Sequence, residues 1–179
     1  PASYRQGAIG EAIRYAIARS SLGLIAVAGT AVGISAIEFG ETEAALLDRL
    51  GEMFPRAELM PADTAYRKWL KTLLSFIETP SVGLNLPLDI QGTAFQRRVW
   101  DALREIPAGT IITYTELALR IGQPTAARAV AHACATNRIA VAIPCHRVVR
   151  QDGTLAGYRW GLDRKRALLD RERKSIGTK

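Results

Sequence analysis

The chain of 179 residues has only two cysteines, Cys134 and Cys145, and only two histidines, His132 and His146. So little cysteine excludes a disulfide scaffold at this length. The four residues follow neither a Cys-x-x-Cys nor a His-x-x-x-His pattern, so no metal and no cofactor is expected. Long apolar runs are missing too. The stretch from Leu22 to Ala36 is broken by Gly23, Gly29, Thr30 and Gly33 and falls short of the ~20 residues that span a bilayer. Arg5, Glu11, Arg14 and Arg19 interrupt any leader-like apolar segment, so no membrane partner and a cytoplasmic location are expected. The first residue is Pro1, as expected of a processed chain or a piece of a longer one. With 48% hydrophobic and 23% charged residues, disorder and collagen-like repeats are excluded, leaving one globular domain or two small ones.

Positive charge is present, but unevenly. Residues 1–88 carry eight Lys/Arg against nine Asp/Glu, whereas residues 89–179 carry sixteen against eight. A basic half beside a neutral half fits a nucleic-acid-binding domain on a scaffold. It also fits a solvated basic surface, as in the run from Arg164 to Lys174, and charge alone does not separate the two. The division falls near residues 80–92, which hold Pro80, Gly83, Pro87 and Gly92.

In the first half, Ile13–Arg19, Leu24–Ala28 and Val32–Phe39 read as an antiparallel meander punctuated by Ser20-Ser21-Leu22-Gly23 and Gly29-Thr30. Helices are expected from Thr42 to Phe54 and from Asp63 to Glu78, with Thr42 and Asp63 as caps. Leu84–Ile90 reads as extended. In the second half, Thr93–Ile106 predicts a helix with Phe95, Val99, Trp100 and Leu103 inward. Thr115–Ile121 and Thr125–Thr136 form two short helices across Gly122, a helix-turn-helix candidate.

The second of those helices carries Ala126, Ala127 and Ala129 around one long cation, Arg128. A major-groove reader normally offers several long polar side chains, and this one offers almost none. A methyl-studded face with one protruding Arg suits close approach to a narrow groove, although alanine is also simply the best helix former. Ile139–Ile143 follows as a buried-strand pattern, then Pro144-Cys145-His146-Arg147-Val148-Val149. A thiol beside an imidazole is not ordinary core filling, since a thiolate is a strong nucleophile. Neighbouring side chains on a strand diverge, so a Cys–His contact needs a turn or a bridging water. Glu172 and Asp170 are candidate acids to orient the imidazole. Cys134, mid-helix among alanines, reads as inert and buried, and His132 as a helix-face residue without a role.

The run Ile143-Pro144-Cys145-His146-Arg147-Val148 resembles the signature of the O6-alkylguanine-DNA alkyltransferases. Tyr114, then Ala126-Ala127-Arg128-Ala129-Val130, Asn137, the Cys-His motif, Gly157-Tyr158 and Glu172 follow in that family's order across residues 93–173. Within the family, the chain is most similar to the methyltransferase half of the bacterial adaptive-response proteins, or to a free-standing relative of them. The resemblance implies an α/β (α+β) fold. A ribonuclease-H-like domain over 1–88, with a three-stranded antiparallel sheet and helices, would precede a mostly helical, winged-helix-like helix-turn-helix domain over 89–179.

It also implies single-turnover repair, in which a methyl group passes irreversibly from O6-methylguanine, and from O4-methylthymine, to Cys145. His146 would take the thiol proton, Glu172 would polarise His146, Asn137 would hold the active-site turn, and Tyr114 would donate toward the guanine ring. The partner would be double-stranded DNA containing O6-alkylguanine, bound by a monomer through the minor groove. Arg128 would fill the space of the flipped base, Ala127 would permit close approach, and Gln96, Thr115, Gln123 and Gln151 would meet phosphates. Val148, Tyr158, Arg159 and Trp160 would line the base pocket. Many relatives have a small hydroxyl residue in place of Arg159 and glycine in place of Trp160. Trp160 is therefore expected to narrow the pocket against benzyl-sized groups, unless it packs on Tyr158 outside it. Two other classes compete: a noncatalytic helix-turn-helix lesion binder, whose relatives lack the reactive cysteine, and a cysteine hydrolase that would turn over repeatedly.

Overall fold

A computed structural model describes residues 12–177. Arg5 and Glu11, used above to exclude a leader, lie outside the described residues. Strand β1 (Ala12–Ser20) turns into β2 (Gly23–Gly29) through Ser21 and Leu22. Gly23 has φ +104°, a left-handed value that favours glycine, and Ser20 closes the turn by donating to the Gly23 carbonyl at 2.7 Å. Strand β3 (Ile34–Gly40) pairs antiparallel with β2. Helix α1 (Glu43–Met53) follows, capped by the Thr42 side chain on the Ala45 N–H.

The meander is thus present, but the sheet is not three-stranded and antiparallel as expected. A fourth strand, β4 (Glu58–Pro61), pairs parallel with β1, giving the order β3-β2-β1-β4. Its sequence, Glu-Leu-Met-Pro, carries no β-branched residue, and proline is tolerated because the strand lies at an edge. Val32, expected in the third strand, is 74% exposed in the preceding turn. Helix α2 (Thr64–Glu78) is capped by Asp63 on the N–H groups of Ala65 and Tyr66.

Strands β2 and β3 are covered on both faces, which is why they read as unbroken apolar runs. Alternate residues part company: Ala26, Ala28 and Ala36 pack with Leu46, Leu50 and Phe54 around α1, while Ile25, Val27, Ile37 and Phe39 belong to the main core. That main core is continuous with the second half of the chain, where it takes in Trp100, Val130, Cys145 and Trp160.

The second half begins with α3 (Ala94–Arg104), opened by a capping box between Thr93 and Gln96. A second capping box, between Thr113 and Glu116, opens α4 (Tyr114–Arg120). Gly122, at φ +71°, makes the turn into α5 (Ala127–Ala135). The Trp100 indole N–H donates to the Ala133 carbonyl at 2.9 Å, locking α3 against α5. β5 (Ile112–Thr113) and β6 (Val148–Val149) form a small parallel pair, and α6 (Leu162–Ile176) ends the described chain. The α+β expectation, with a sheet-bearing first half and a helical second half, holds.

Ile139–Ile143 is not the buried strand its composition suggested. It is a succession of turns, with Val141 at φ +68°, touching the edge of β3 through one bridge between Ile37 and Ile139. Ile37 donates to the Arg138 carbonyl at 2.9 Å, and Ala140 donates to the Ile37 carbonyl at 3.1 Å. The sheet edge therefore anchors the segment that delivers the Cys-His motif.

Candidate functional site

A fully buried asparagine organises that segment. Asn137 follows α5, and its Oδ1 accepts from the Ile139 N–H at 2.8 Å. Its amide donates to the Ile143 carbonyl at 3.0 Å and meets the Cys145 Sγ at 3.2 Å. The side chain thus supplies partners that a strand would have supplied, so the apolar run can turn without orphaned backbone groups. Cys145–Arg147 then form one 3-10 turn. This is the turn that a neighbouring Cys and His require to serve one site.

Within it, His146 Nε2 lies 2.7 Å from Glu172 Oε1, and both residues are almost wholly buried. Arg147 grips the same carboxylate, with Nε 3.0 Å from Oε2 and Nη2 2.8 Å from Oε1, and also donates to the Ile106 carbonyl. The Gly109 N–H donates to Oε2 at 3.0 Å. Burial alone would raise the Glu172 pKa, but the hydrogen bonds from His146 and Arg147, together with the guanidinium charge of Arg147, outweigh it and bring it down to about 2. Glu172 is therefore ionised.

Burial depresses the pKa of His146, even though Glu172 opposes the shift, so the imidazole is neutral at pH 7. A neutral imidazole facing a carboxylate carries its proton on Nε2 and leaves Nδ1 as a base. Nδ1 is buried and has no partner among the described residues. The acid chosen between Glu172 and Asp170 is thus Glu172. Asp170 is exposed and sits 3.9 Å from Arg173 on the surface of α6.

Cys145 is 4% exposed. Burial pushes its thiol pKa up, while the Asn137 amide and the Lys165 charge pull it down. The thiol is protonated at rest and needs a base. It lines a cavity of about 540 Å³ with Tyr114, Cys134, Arg150, Tyr158, Arg159 and the small residues Ala131, Ala135, Ala156 and Gly157. Tyr114, at the first turn of α4, has its pKa raised to about 12, first by burial and then by the two cysteines, so it stays a hydrogen-bond donor at neutral pH. The Tyr158 hydroxyl is buried with no partner among the described residues.

Two of the expected pocket residues are elsewhere. Val148 is fully buried in β6 and does not line the cavity; its carbonyl accepts from Lys165 Nζ at 2.6 Å. Trp160 is also absent from the cavity wall. It packs edge-to-face on Tyr158, with ring centroids 5.1 Å apart, and its indole N–H donates to Glu38 at 2.8 Å. Packing behind Tyr158, rather than narrowing the pocket directly, is what the structure contains. Glu38 is buried, and the desire of an indole N–H for an acceptor draws the ring toward it.

On the helix-turn-helix, Arg128 is exposed and has no ion pair or side-chain hydrogen bond among the described residues. Ala127 is half-buried, and Thr115, Gln123 and Gln151 are exposed. Gln96 is differently employed: its Oε1 accepts from the Thr93 N–H at 2.9 Å and its Nε2 donates to Thr136 at 3.0 Å. The capping box, not a free surface amide, accounts for that residue.

Sequence reading left Arg147, Lys165, Arg150 and Glu38 without roles, and gave Cys134 no place beside the cavity. A signal for Lys165 existed. Lys165, Leu168, Leu169 and Glu172 fall on one helical stripe, and all four are buried, so two charged residues occupy core positions and need partners.

A helix-turn-helix unit carrying a buried thiol, imidazole and carboxylate beside a cavity defines a class: a helix-turn-helix fold built around a cysteine, histidine and glutamate cluster. Residues 94–174 match the family model described as 6-O-methylguanine DNA methyltransferase, DNA binding domain. The chain is 50% identical over 169 residues to the bifunctional transcriptional activator/DNA repair enzyme Ada of Escherichia coli, covering 94% of this chain and 48% of that protein. It is 36% identical over 122 residues to the inducible methylated-DNA–protein-cysteine methyltransferase of Bacillus subtilis, covering 68% of each. The crystal structure of Mycobacterium tuberculosis OGT in complex with DNA superposes with a TM-score of 0.76 at 34% identity, covering 92% of this chain and 94% of that one. The chain belongs to the methylated-DNA–protein-cysteine methyltransferase family. It spans about half the length of the Ada proteins it matches. Among the described residues, no helix is long and apolar enough to cross a membrane.

Proposed function

We propose that this chain repairs DNA by moving the alkyl group of O6-methylguanine, and of O4-methylthymine, directly and irreversibly onto Cys145. The observation that carries this reading is the Cys145 thiol on the wall of a nucleobase-sized cavity, next to a buried neutral imidazole whose Nε2 is held by Glu172. The thiol proton passes through a water to His146 Nδ1, and Glu172 stabilises the imidazolium that forms. Sulfur then attacks the methyl carbon. The S–C bond forms as the C–O6 bond breaks, and the electron pair leaves on the guanine. Tyr114 donates its hydroxyl toward the ring, so the base departs without full negative charge. The product is a thioether with no carbonyl for water to attack, so each molecule acts once.

The reacting carbon is inaccessible inside a duplex, and extruding the base costs a few kcal/mol. Helix α5 supports the reading of minor-groove docking: its alanines keep the surface low, and the exposed Arg128 can occupy the emptied stack. Replacing Arg128 by alanine is expected to slow transfer from duplex DNA by about 10- to 100-fold, the loss of part of that extrusion energy. Transfer from the free modified base should be unchanged. Single-turnover kinetics on both substrates check this.

Mixing the protein with O6-methylguanine DNA and measuring its intact mass tests the reading as a whole. A gain of about 14 Da on Cys145, one net CH₂ per molecule without turnover, is expected. Unmodified protein bound to DNA would instead indicate a lesion binder, and repeated turnover a hydrolase.

A further inference from the structure

Between Ile37 and Phe39, in the middle of a strand whose neighbours are all apolar, β3 carries a carboxylate with no exposed surface, Glu38. Its Oε2 accepts from the Trp160 indole N–H at 2.8 Å. Arg159 Nε lies 3.3 Å from Oε1 and Arg49 Nη1 lies 3.7 Å from Oε2. Only the indole makes a hydrogen bond; Oε1 has no hydrogen-bond partner among the described residues. A buried carboxylate so thinly satisfied is a cost to stability rather than a gain, and burial accordingly raises its pKa.

Its partners lead to the cavity. Arg159 lines the wall itself, and Trp160 backs Tyr158, another wall residue, edge-to-face. The loop from Gly153 to Gly161 begins and ends on glycines with positive φ, +79° and +96°, so it enters and leaves through turns. Its far end is tied directly to the sheet through Glu38, while Lys165 Nζ meets its middle at the Ala156 carbonyl, 3.3 Å away. The Arg164 side chain adds a clasp behind it, donating to the Trp160 carbonyl at 3.0 Å and to the Leu22 carbonyl of the β1–β2 turn at 2.7 Å.

Resting on the alkyl-transfer reading, we infer that Glu38 is a positioning residue that holds the Tyr158–Trp160 wall inward from the sheet and thereby sets the size of alkyl group the cavity admits. Trp160 then influences the pocket from behind, as the link between Glu38 and Tyr158.

Single-turnover rates with duplexes containing O6-methylguanine or O6-benzylguanine test this in the intact chain. Glu38→Ala is expected to raise the benzyl-to-methyl rate ratio about tenfold, with the methyl rate changing far less. Trp160→Phe, which keeps the ring but loses the donor, should shift the ratio the same way. The double variant should shift it no further than the larger single change, because both cut one link. Glu38→Gln retains an acceptor for the indole but no charge for Arg159, so it should fall between wild type and Glu38→Ala; it also serves should Glu38→Ala fail to fold. Methyl and benzyl rates that fall in parallel, or additive single effects, overturn the inference and leave Glu38 a structural residue only. Wild-type protein that transfers neither group overturns the underlying reading itself, a result distinguishable from an unchanged ratio.

Discussion

Cys145→Ser is expected to lose methyl transfer by a factor on the order of 10⁴ or more, to below detection, while DNA affinity stays within about twofold. The chemistry explains the size of the effect. Displacement at a methyl carbon favours a soft, polarisable nucleophile, and the working form is the thiolate. The surroundings of Cys145 already raise the thiol pKa through burial, leaving the Asn137 amide and the Lys165 charge to favour the anion. A serine hydroxyl, far weaker as an acid, would remain neutral in the same place. The oxygen is smaller than sulfur, so the substitution opens little space and the Asn137 amide can still find an acceptor there. Binding is unaffected because Cys145 is almost wholly buried at the floor of the cavity and the substitution changes one atom there, whereas Arg128, Thr115 and Gln123 are the exposed groups on the helix-turn-helix. Intact-mass measurement and a gel-shift titration on one O6-methylguanine duplex check both halves. Transfer that persists in the serine variant would overturn the assignment of the acceptor.

Much of this arrangement was legible because it is written locally. Thr42 and Asp63 cap the helices they precede, and Gly122 marks the turn between the last two short helices, since caps and left-handed glycines act within four residues. Cys145 and His146 are adjacent, so their partnership is visible without a structure. What escaped was written at long range or compensated by side chains. An apolar run such as Ile139–Ile143 has the same composition in a buried strand as in a buried turn; the difference lies in Asn137, whose amide replaces the missing ladder. The strand β4 has poor intrinsic preference and exists because β1 offers it an open edge. The position of Trp160, inside the pocket or behind Tyr158, is decided by an acceptor 122 residues away, on β3. Nothing near Trp160 in sequence announces Glu38.

Glu172 is the other residue whose loss should be felt most, in both stability and rate. Four groups converge on its carboxylate: the imidazole, two guanidinium nitrogens of Arg147 and the Gly109 N–H. Glu172→Ala leaves Arg147 as a buried, unpaired charge and should cost about 3–5 kcal/mol of folding stability. Glu172→Gln keeps the shape but turns an amide toward the guanidinium, and removes the charge that stabilises protonated His146. Transfer should then fall about 100-fold, the lower end of what a general base contributes.

The pH dependence follows from the same contacts. The folded pKa of Glu172, about 2, lies below the ordinary 4.5. The unfolded state therefore binds the proton more readily, and the stabilisation is complete above pH 4.5. It is lost progressively as pH falls from about 4.5 to about 2, amounting to something on the order of 3 kcal/mol. Burial of neutral His146, whose folded pKa lies below 6.5, acts in the same direction at higher pH, with stability falling as the unfolded imidazole becomes protonated. Urea titrations of the wild type at a series of pH values should thus show stability declining below pH 6.5 and again below pH 4.5. In Glu172→Gln the second decline should flatten, because the group that titrates there is gone. A second decline of undiminished size in that variant would mean that other carboxylates carry it, and that the convergence on Glu172 contributes little to holding the fold.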